Sequence, residues 1–295
     1  MRNSLQVLLS RKLEGKMVRL HIFLALAAFV AVEAATVPRL SGVRPKIDTL
    51  PDSLPWKASL KAKNYLTEKN SGSRIVGGQY AQEGQFPYQA ALFIDNQEFC
   101  GGSIISSNWI LTAGHCGSGA YSFVIILGSL SIQQGDPSQV VMQSNQGYTH
   151  PYFSMQTLQY DVSLIRVPQQ IPMSPTISPI SLSSSIVGAG QMAVVSGWGK
   201  TSDSGSISQT LKYTNLQTID NNDCAQYYGG FLYDGNICCS SSEGTTCQGD
   251  SGGPLVIGGS QIGIVSFGGQ SCLSTPPAFT RISYVMDWIS QTANN

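Results

Sequence analysis

The chain has 295 residues, of which 42% are hydrophobic and 12% charged, a balance that excludes disordered, collagen-like and coiled-coil proteins and allows one large or two ordinary domains. A formal net charge of zero conceals a split: residues 1–74 carry 13 Lys and Arg against 5 Asp and Glu, whereas residues 75–295 carry 4 against 12. The acidic body would repel nucleic-acid phosphates and anionic membrane surfaces, so neither is expected as a partner.

The first predicted element is the apolar run Leu20–Val32, shorter than the ~20 residues a membrane-spanning helix needs. Arg11, Lys12, Lys16 and Arg19 precede it and the small-residue site Val32-Glu33-Ala34 follows. This pattern predicts a secretory signal peptide over residues 1–34, rather than a buried helix, and a secreted, extracellular product. Met1 and Met17 are both possible starts; a start at Met17 makes residues 1–16 an extension. Residues 35–74 are rich in Pro, Lys and Arg and lack apolar periodicity, so they read as a flexible propeptide. It ends at Ser73-Arg74, and Ile75-Val76-Gly77-Gly78 opens a stretch of different composition.

Beyond Arg74, strands are predicted over Gln89–Ile94, Phe123–Leu127, Val162–Val167, Met192–Ser196 and Gln261–Phe267, separated by Gly, Ser, Pro and Asn turns. The Pro- and Ser-rich stretch 168–179 suits a crossing between two subdomains. Near the end, Val285, Trp288 and Ile289 share one face of a predicted helix over Tyr284–Thr292. The sum is an all-β chain closed as barrels or sandwiches, with a short C-terminal helix.

All seven cysteines (Cys100, Cys116, Cys224, Cys238, Cys239, Cys247 and Cys272) follow Arg74. In a secreted chain they are expected as disulfides, with one left over. There is no Cys-x-x-Cys, and His115 is the only histidine beside a cysteine, which argues against zinc. A cleaved propeptide, having no cysteine, would not stay covalently attached.

Gly249-Asp250-Ser251-Gly252-Gly253 sets a serine in a glycine frame that lets backbone N–H groups converge on a substrate. It also fits the nucleophile elbow of α/β-hydrolases, but that elbow needs a later histidine. His21, His115 and His150 all precede Ser251, so the elbow is rejected. A serine nucleophile needs a base. His115, after Leu111-Thr112-Ala113-Gly114 and beside Cys116, is the candidate; His21 leaves with the leader and His150, before Pro151, reads as a turn residue. Asp161, opening the run Val162–Val167, is expected to fix the imidazole. Asp136, in Gly135-Asp136-Pro137, competes but reads as an exposed turn.

The order His115, Asp161, Ser251, the Ile75–Gly78 start and the Gly249–Pro254 segment together resemble the chymotrypsin-like (trypsin-fold) serine proteases from Arg74 to the C-terminus. The resemblance implies a catalytic domain over residues 75–295, built as two six-stranded Greek-key β-barrels with the site in the cleft between them. It makes Ser251 the nucleophile, His115 the general base and acid, Asp161 its orienting partner, and the N–H groups of Gly249 and Ser251 the oxyanion hole. Ser266-Phe267-Gly268 would pair with the substrate backbone, with Phe267 standing where the family more often has Trp. The implied disulfides are Cys100–Cys116, Cys224–Cys238 and Cys247–Cys272, leaving Cys239 unpaired; a Cys224–Cys239 bridge stays open. Gly114, where Ala is commoner, would loosen the backbone beside His115.

Further implications concern activation and specificity. Cutting after Arg74 would free the Ile75 ammonium to pair with Asp250, so the uncut chain would be a zymogen. Thr245, followed by Thr246, stands where trypsin-like enzymes carry an acidic residue; this neutral floor disfavours Lys and Arg. Gly268 leaves the pocket mouth open to large apolar residues, in a chymotrypsin-like manner. Pro277, on the opposite wall, could shorten the pocket toward an elastase-like choice; elastase-like or broad collagenolytic specificity is the alternative. A trypsin-like activating protease is therefore implied, and only Arg166, Lys200, Lys212 and Arg281 would offer it targets in the mature chain. That scarcity fits a digestive lumen. Protein or peptide substrates and protein inhibitors are the other expected partners of a monomer. No cofactor and no metal are expected, since the loop Ser129–Gln134 lacks acidic ligands. A non-catalytic homologue acting as a binding protein is the rival from another class.

Overall fold

The computed structural model describes residues 78–133, 138–242 and 244–294. The expected signal peptide, the propeptide, Arg74, Ile75 and the rejected Asp136 lie outside the described residues. In chain order the first half contributes β1 (Gln79–Tyr80), β2 (Gln89–Ile94), β3 (Glu98–Ile104), β4 (Trp109–Thr112), the single-turn helix α1 (Gly114–Gly117), β5 (Phe123–Leu127), β6 (Val140–Ser144), β7 (Gln146–Thr149) and β8 (Ser163–Arg166). The second half contributes β9 (Ser181–Leu182), β10 (Met192–Gly197), β11 (Lys212–Ile219), α2 (Asn221–Tyr228), β12 (Asn236–Cys239), β13 (Pro254–Ile257), β14 (Ser260–Phe267), β15 (Ala278–Arg281) and α3 (Ile282–Ala293).

The two halves solve the edge-strand problem differently. In the second, the ladder runs β11-β10-β13-β14-β15-β12 and returns through a β11–β12 pairing, so six strands close into a barrel. Closure leaves no unpaired edge on this ring. Alternation along β11 buries Lys212, Thr214, Leu216 and Thr218 in turn, and the barrel core gathers Val195, Leu216, Ile237, Leu255 and Phe279. In the first half the order is β6-β5-β2-β3-β4-β8-β7, an open antiparallel path. Its two end strands are successive in the chain, with only Asn145 between them. One bent segment therefore pairs with β5 before the bend and with β8 after it, which curls the sheet round Leu92, Ile94, Ile110, Phe123, Ile125 and Ile165.

Helix α3 ends the chain and buries Ile282, Val285 and Ile289, which join the core cluster of the first half. Trp288 sits at the edge of this face, its ring 5.1 Å from that of His150. Polar bonds also stitch the halves together: Ser196 donates to Gln89 Oε1 at 2.6 Å and Ser103 to Gln261 Oε1 at 2.7 Å, all four residues being buried. Where β3 meets the segment before β13, a Cβ on Gly101 would approach Gly253 Cα at 3.1 Å. Only a small residue allows that backbone contact.

Candidate active site

Ser251 is carried on the turn that leads into β13. Gly249 and Gly252 flank the Asp250-Ser251 pair with φ of 97° and 81°, a left-handed conformation that L side chains rarely adopt. A Cβ on Gly252 would collide with Thr112 Oγ1 and the carbonyl of Gly101. The turn that carries Ser251 thus rests on the end of β4, just before the helix that carries His115. Gly101 N–H donates to the Ser251 carbonyl at 2.7 Å and fixes the turn to β3.

His115 lies in α1, whose four residues are all buried. Its own N–H donates to Asp161 Oδ1 at 2.7 Å, and its Nδ1 stands 2.9 Å from Asp161 Oδ2. A carboxylate only accepts, so Nδ1 carries the proton and the lone pair of Nε2 is left to act as a base. Nε2 is buried and has no hydrogen-bond partner among the described residues, Ser251 Oγ included. Catalytic hydrogen bonds of this kind are often long in the absence of substrate and tighten when it binds. Burial lowers the affinity of His115 for a proton. The charge of Asp161, its hydrogen bond and the charge of Glu98 more than offset this, and the pKa ends above the ordinary histidine value.

Asp161 is completely buried. Its Oδ2 also accepts from Ser266 Oγ at 2.5 Å, and its backbone carbonyl accepts from Thr280 Oγ1 at 2.9 Å. The sequence placed Ser266 on the substrate strand only; the structure shows its hydroxyl holding Asp161 as well. The preceding residue, Tyr160, has φ of 54° and donates its N–H to Tyr233 Oη at 2.7 Å. His150 belongs to this second layer. Its ring stacks on Tyr160 at 4.6 Å, Nδ1 accepts from Tyr152 N–H, and burial lowers its pKa.

Asp250 points away from the groove. Its carboxylate accepts from Gly199 N–H at 2.8 Å and Cys247 N–H at 2.9 Å. Burial pushes its pKa up to about 6 against those two amides. A Cβ at either Gly197 or Gly199 would strike this carboxylate. Reasoning from sequence did not single out these two glycines; Gly197-Trp198-Gly199 was the available signal.

Beside Ser251 opens a pocket lined by Thr245–Gln248, Val265–Gly269 and Cys272, with no charged residue among its described walls. Thr245 is buried at its base, and Gly268 has open space where a side chain would stand. The ring of Phe267 is buried, edge-on to Tyr228 and Phe231. Pro277 is buried, is not among the residues lining this pocket, and its carbonyl accepts from Cys239 N–H at 3.1 Å, at the join between β12 and β15.

The disulfides are Cys100–Cys116, Cys224–Cys238 and Cys247–Cys272, and Cys239 is a buried free thiol. Two groups have metal-like spacing, Cys100 with His115 and Cys116, and Asp203 with Cys247 and Cys272. Their sulfurs are consumed in disulfides and offer no thiolate ligand.

A buried carboxylate–imidazole pair on one β-sheet half and a serine in a glycine turn on the other, joined where the Ser251 turn rests on β3 and β4, are the marks of the chymotrypsin-like class of serine endopeptidases. The family model described as Trypsin matches residues 75–289, and the chain belongs to that family. It is 42% identical over 219 residues to Brachyurin of Leptuca pugilator, which covers 73% of this chain and 96% of that protein. It is 37% identical to Trypsin II-P29 of Gallus gallus over 223 residues, covering 74% and 89% of the two chains. Serine protease SP24D of Anopheles gambiae is 33% identical over 282 residues, 93% of this chain and 97% of that protein. Among solved structures, HL collagenase superposes with a TM-score of 0.68 at 38% identity, covering 75% of this chain and 99% of that one.

Proposed function

We propose that the chain is made as a secreted zymogen and that cutting after Arg74 yields an endopeptidase preferring large apolar residues on the acyl side of the scissile bond. The observation that carries the specificity is the uncharged pocket beside Ser251. A buried Lys or Arg would find no counter-ion there, and an unpaired buried charge costs several kcal/mol. In the reaction, Ser251 Oγ attacks the carbonyl while His115 Nε2 takes its proton, and the imidazolium is held by Asp161. His115 then returns the proton to the leaving amine, and water repeats the sequence on the acyl-enzyme. The N–H groups of Gly249 and Ser251 receive the oxyanion, each donor contributing about 3 kcal/mol in comparable sites.

Activation rests on Asp250. Its carboxylate sits buried between two amides with its pKa pushed up to about 6, a poor place for a lone charge. An Ile75 ammonium released by cleavage would neutralise it and order the adjoining pocket wall through Cys247. A neutral pocket cannot serve its own Arg74, so a trypsin-like protease is the activator. The body is suited to survive it. Lys212 is buried, Arg166 lies within β8 between two paired strands, and Arg281 is bonded to three carbonyl oxygens.

A broader, collagenolytic specificity is the second reading, favoured by the resemblance to a structure titled as a collagenase. The test is tryptic activation followed by titration with an organophosphonate and assay on Phe, Leu, Ala and Arg peptide substrates. Stoichiometric labelling of Ser251 with highest kcat/KM on Phe and Leu is expected. No labelling would mean a non-catalytic homologue, and comparable rates on all four substrates would favour the broad reading.

A further inference from the structure

We propose that Asp203 is a positioning residue for the specificity pocket, a carboxylate on a separate loop that holds the pocket's rim in place. Asp203 lies between β10 and β11, in a segment whose stem is tied to the pocket by a hydrogen bond from Lys200 N–H to the Gln248 carbonyl at 2.8 Å. At the tip, the carboxylate accepts from two groups of one rim segment. Oδ1 takes the Cys272 N–H at 2.7 Å and Oδ2 takes the Ser271 hydroxyl at 2.7 Å. Cys272 lines the pocket and is bonded through sulfur to Cys247 on the facing wall.

Farther along the rim, Tyr228 Oη is bonded to Thr275 Oγ1 at 2.9 Å and to the Pro276 carbonyl at 2.5 Å, and Ser274 folds back on the Ser271 carbonyl; the Ser271–Cys272 stretch is the part that Asp203 holds. A disulfide fixes one atom of the rim but leaves rotation about it. Two short bonds from one carboxylate remove that rotation and set where the Cys272 backbone stands across the mouth. Charge-assisted bonds of this kind are stronger than neutral ones, and they hold the Asp203 carboxyl below the usual carboxylate range, with Lys200 adding to the effect. Asp203 touches neither Ser251 nor His115, so its influence falls on how well the pocket receives a side chain.

The inference rests on the pocket taking the substrate's acyl-side residue, whatever that residue is. The experiment compares the activated parent with Asp203→Ala and Asp203→Asn on matched peptides carrying either the side chain the parent prefers or glycine. Active-site titration corrects each preparation to its competent fraction. KM for the preferred peptide should rise about fivefold in Asp203→Ala, the effect of roughly one lost net hydrogen bond. Its kcat should change less than twofold, the glycine peptide should be unaffected, and Asp203→Asn should recover part of the loss. Unchanged KM in Asp203→Ala, or equal losses on both peptides, would overturn the proposal. The parent's own ranking of side chains tests the specificity reading separately, since it does not depend on either variant.

Discussion

Gly114 shows how one missing methyl group can be structural. A Cβ there would lie 2.8 Å from Phe153 Cδ2 and 2.9 Å from the backbone nitrogen of Val162. Phe153 occupies the space that the side chain of the commoner alanine would take. Gly114→Ala should therefore push Phe153 outward or shift the peptide after Asp161, costing about 1–3 kcal/mol of stability by overpacking. Thermal unfolding and kcat/KM should both fall, and a variant matching the parent in both would refute this account. The three proposed catalytic residues could be picked out because each sits in a local motif: serine between glycines, histidine beside cysteine, aspartate at the head of an apolar run. The bond from Ser266 to Asp161 was not legible, since it joins positions 105 residues apart in the chain.

Elements fix the less visible half of the site. The end of β10 and the following Trp198-Gly199 form a wall against Asp250, made of glycines because the carboxylate fills the volume a side chain would need. Gly199→Ala should displace that carboxylate and break its bonds to the Gly199 and Cys247 amides. The expected result is normal cleavage after Arg74 with at least about tenfold lower kcat/KM, checked by N-terminal sequencing and titrated kinetics. Full activity would show that the wall tolerates a shift. Strands were predicted where short apolar runs are bounded by turns, as in Phe123–Leu127 and Gln89–Ile94, which coincide with β5 and β2. The bend at Asn145 escaped prediction: Val140–Ser144 alternates weakly and is half exposed, so hydrophobic pattern carries little signal there.

At the scale of the whole molecule, pH links catalysis to stability with opposite consequences. His115 must be neutral to accept a proton, and its pKa lies above the ordinary 6.5. The kcat/KM of the activated enzyme should therefore fall on acidification with a midpoint above 6.5, and removing the Asp161 charge by Asp161→Asn should abolish that limb along with most activity. Asp250 behaves as an acid whose folded pKa, about 6, exceeds its ordinary 3.8. The folded chain then holds the proton more tightly than the unfolded one. Its contribution is fully present below 3.8 and is lost as pH rises through 6, on the order of 3 kcal/mol. An uncleavable Arg74→Gln precursor should lose thermal stability over that interval relative to the processed chain, in which an ammonium partner would compensate; parallel melting curves would contradict the proposed switch. Cys239 carries one more consequence. Burial pushes its thiol up to about 12, so at neutral pH almost no sulfur nucleophile exists next to the Cys224–Cys238 bridge. Once β12 is laid down, the odd cysteine cannot shuffle its neighbours, and the crosslinks are sealed kinetically by the strand that contains them. A maleimide should count no reactive sulfur in the native protein and a single one after unfolding in guanidinium.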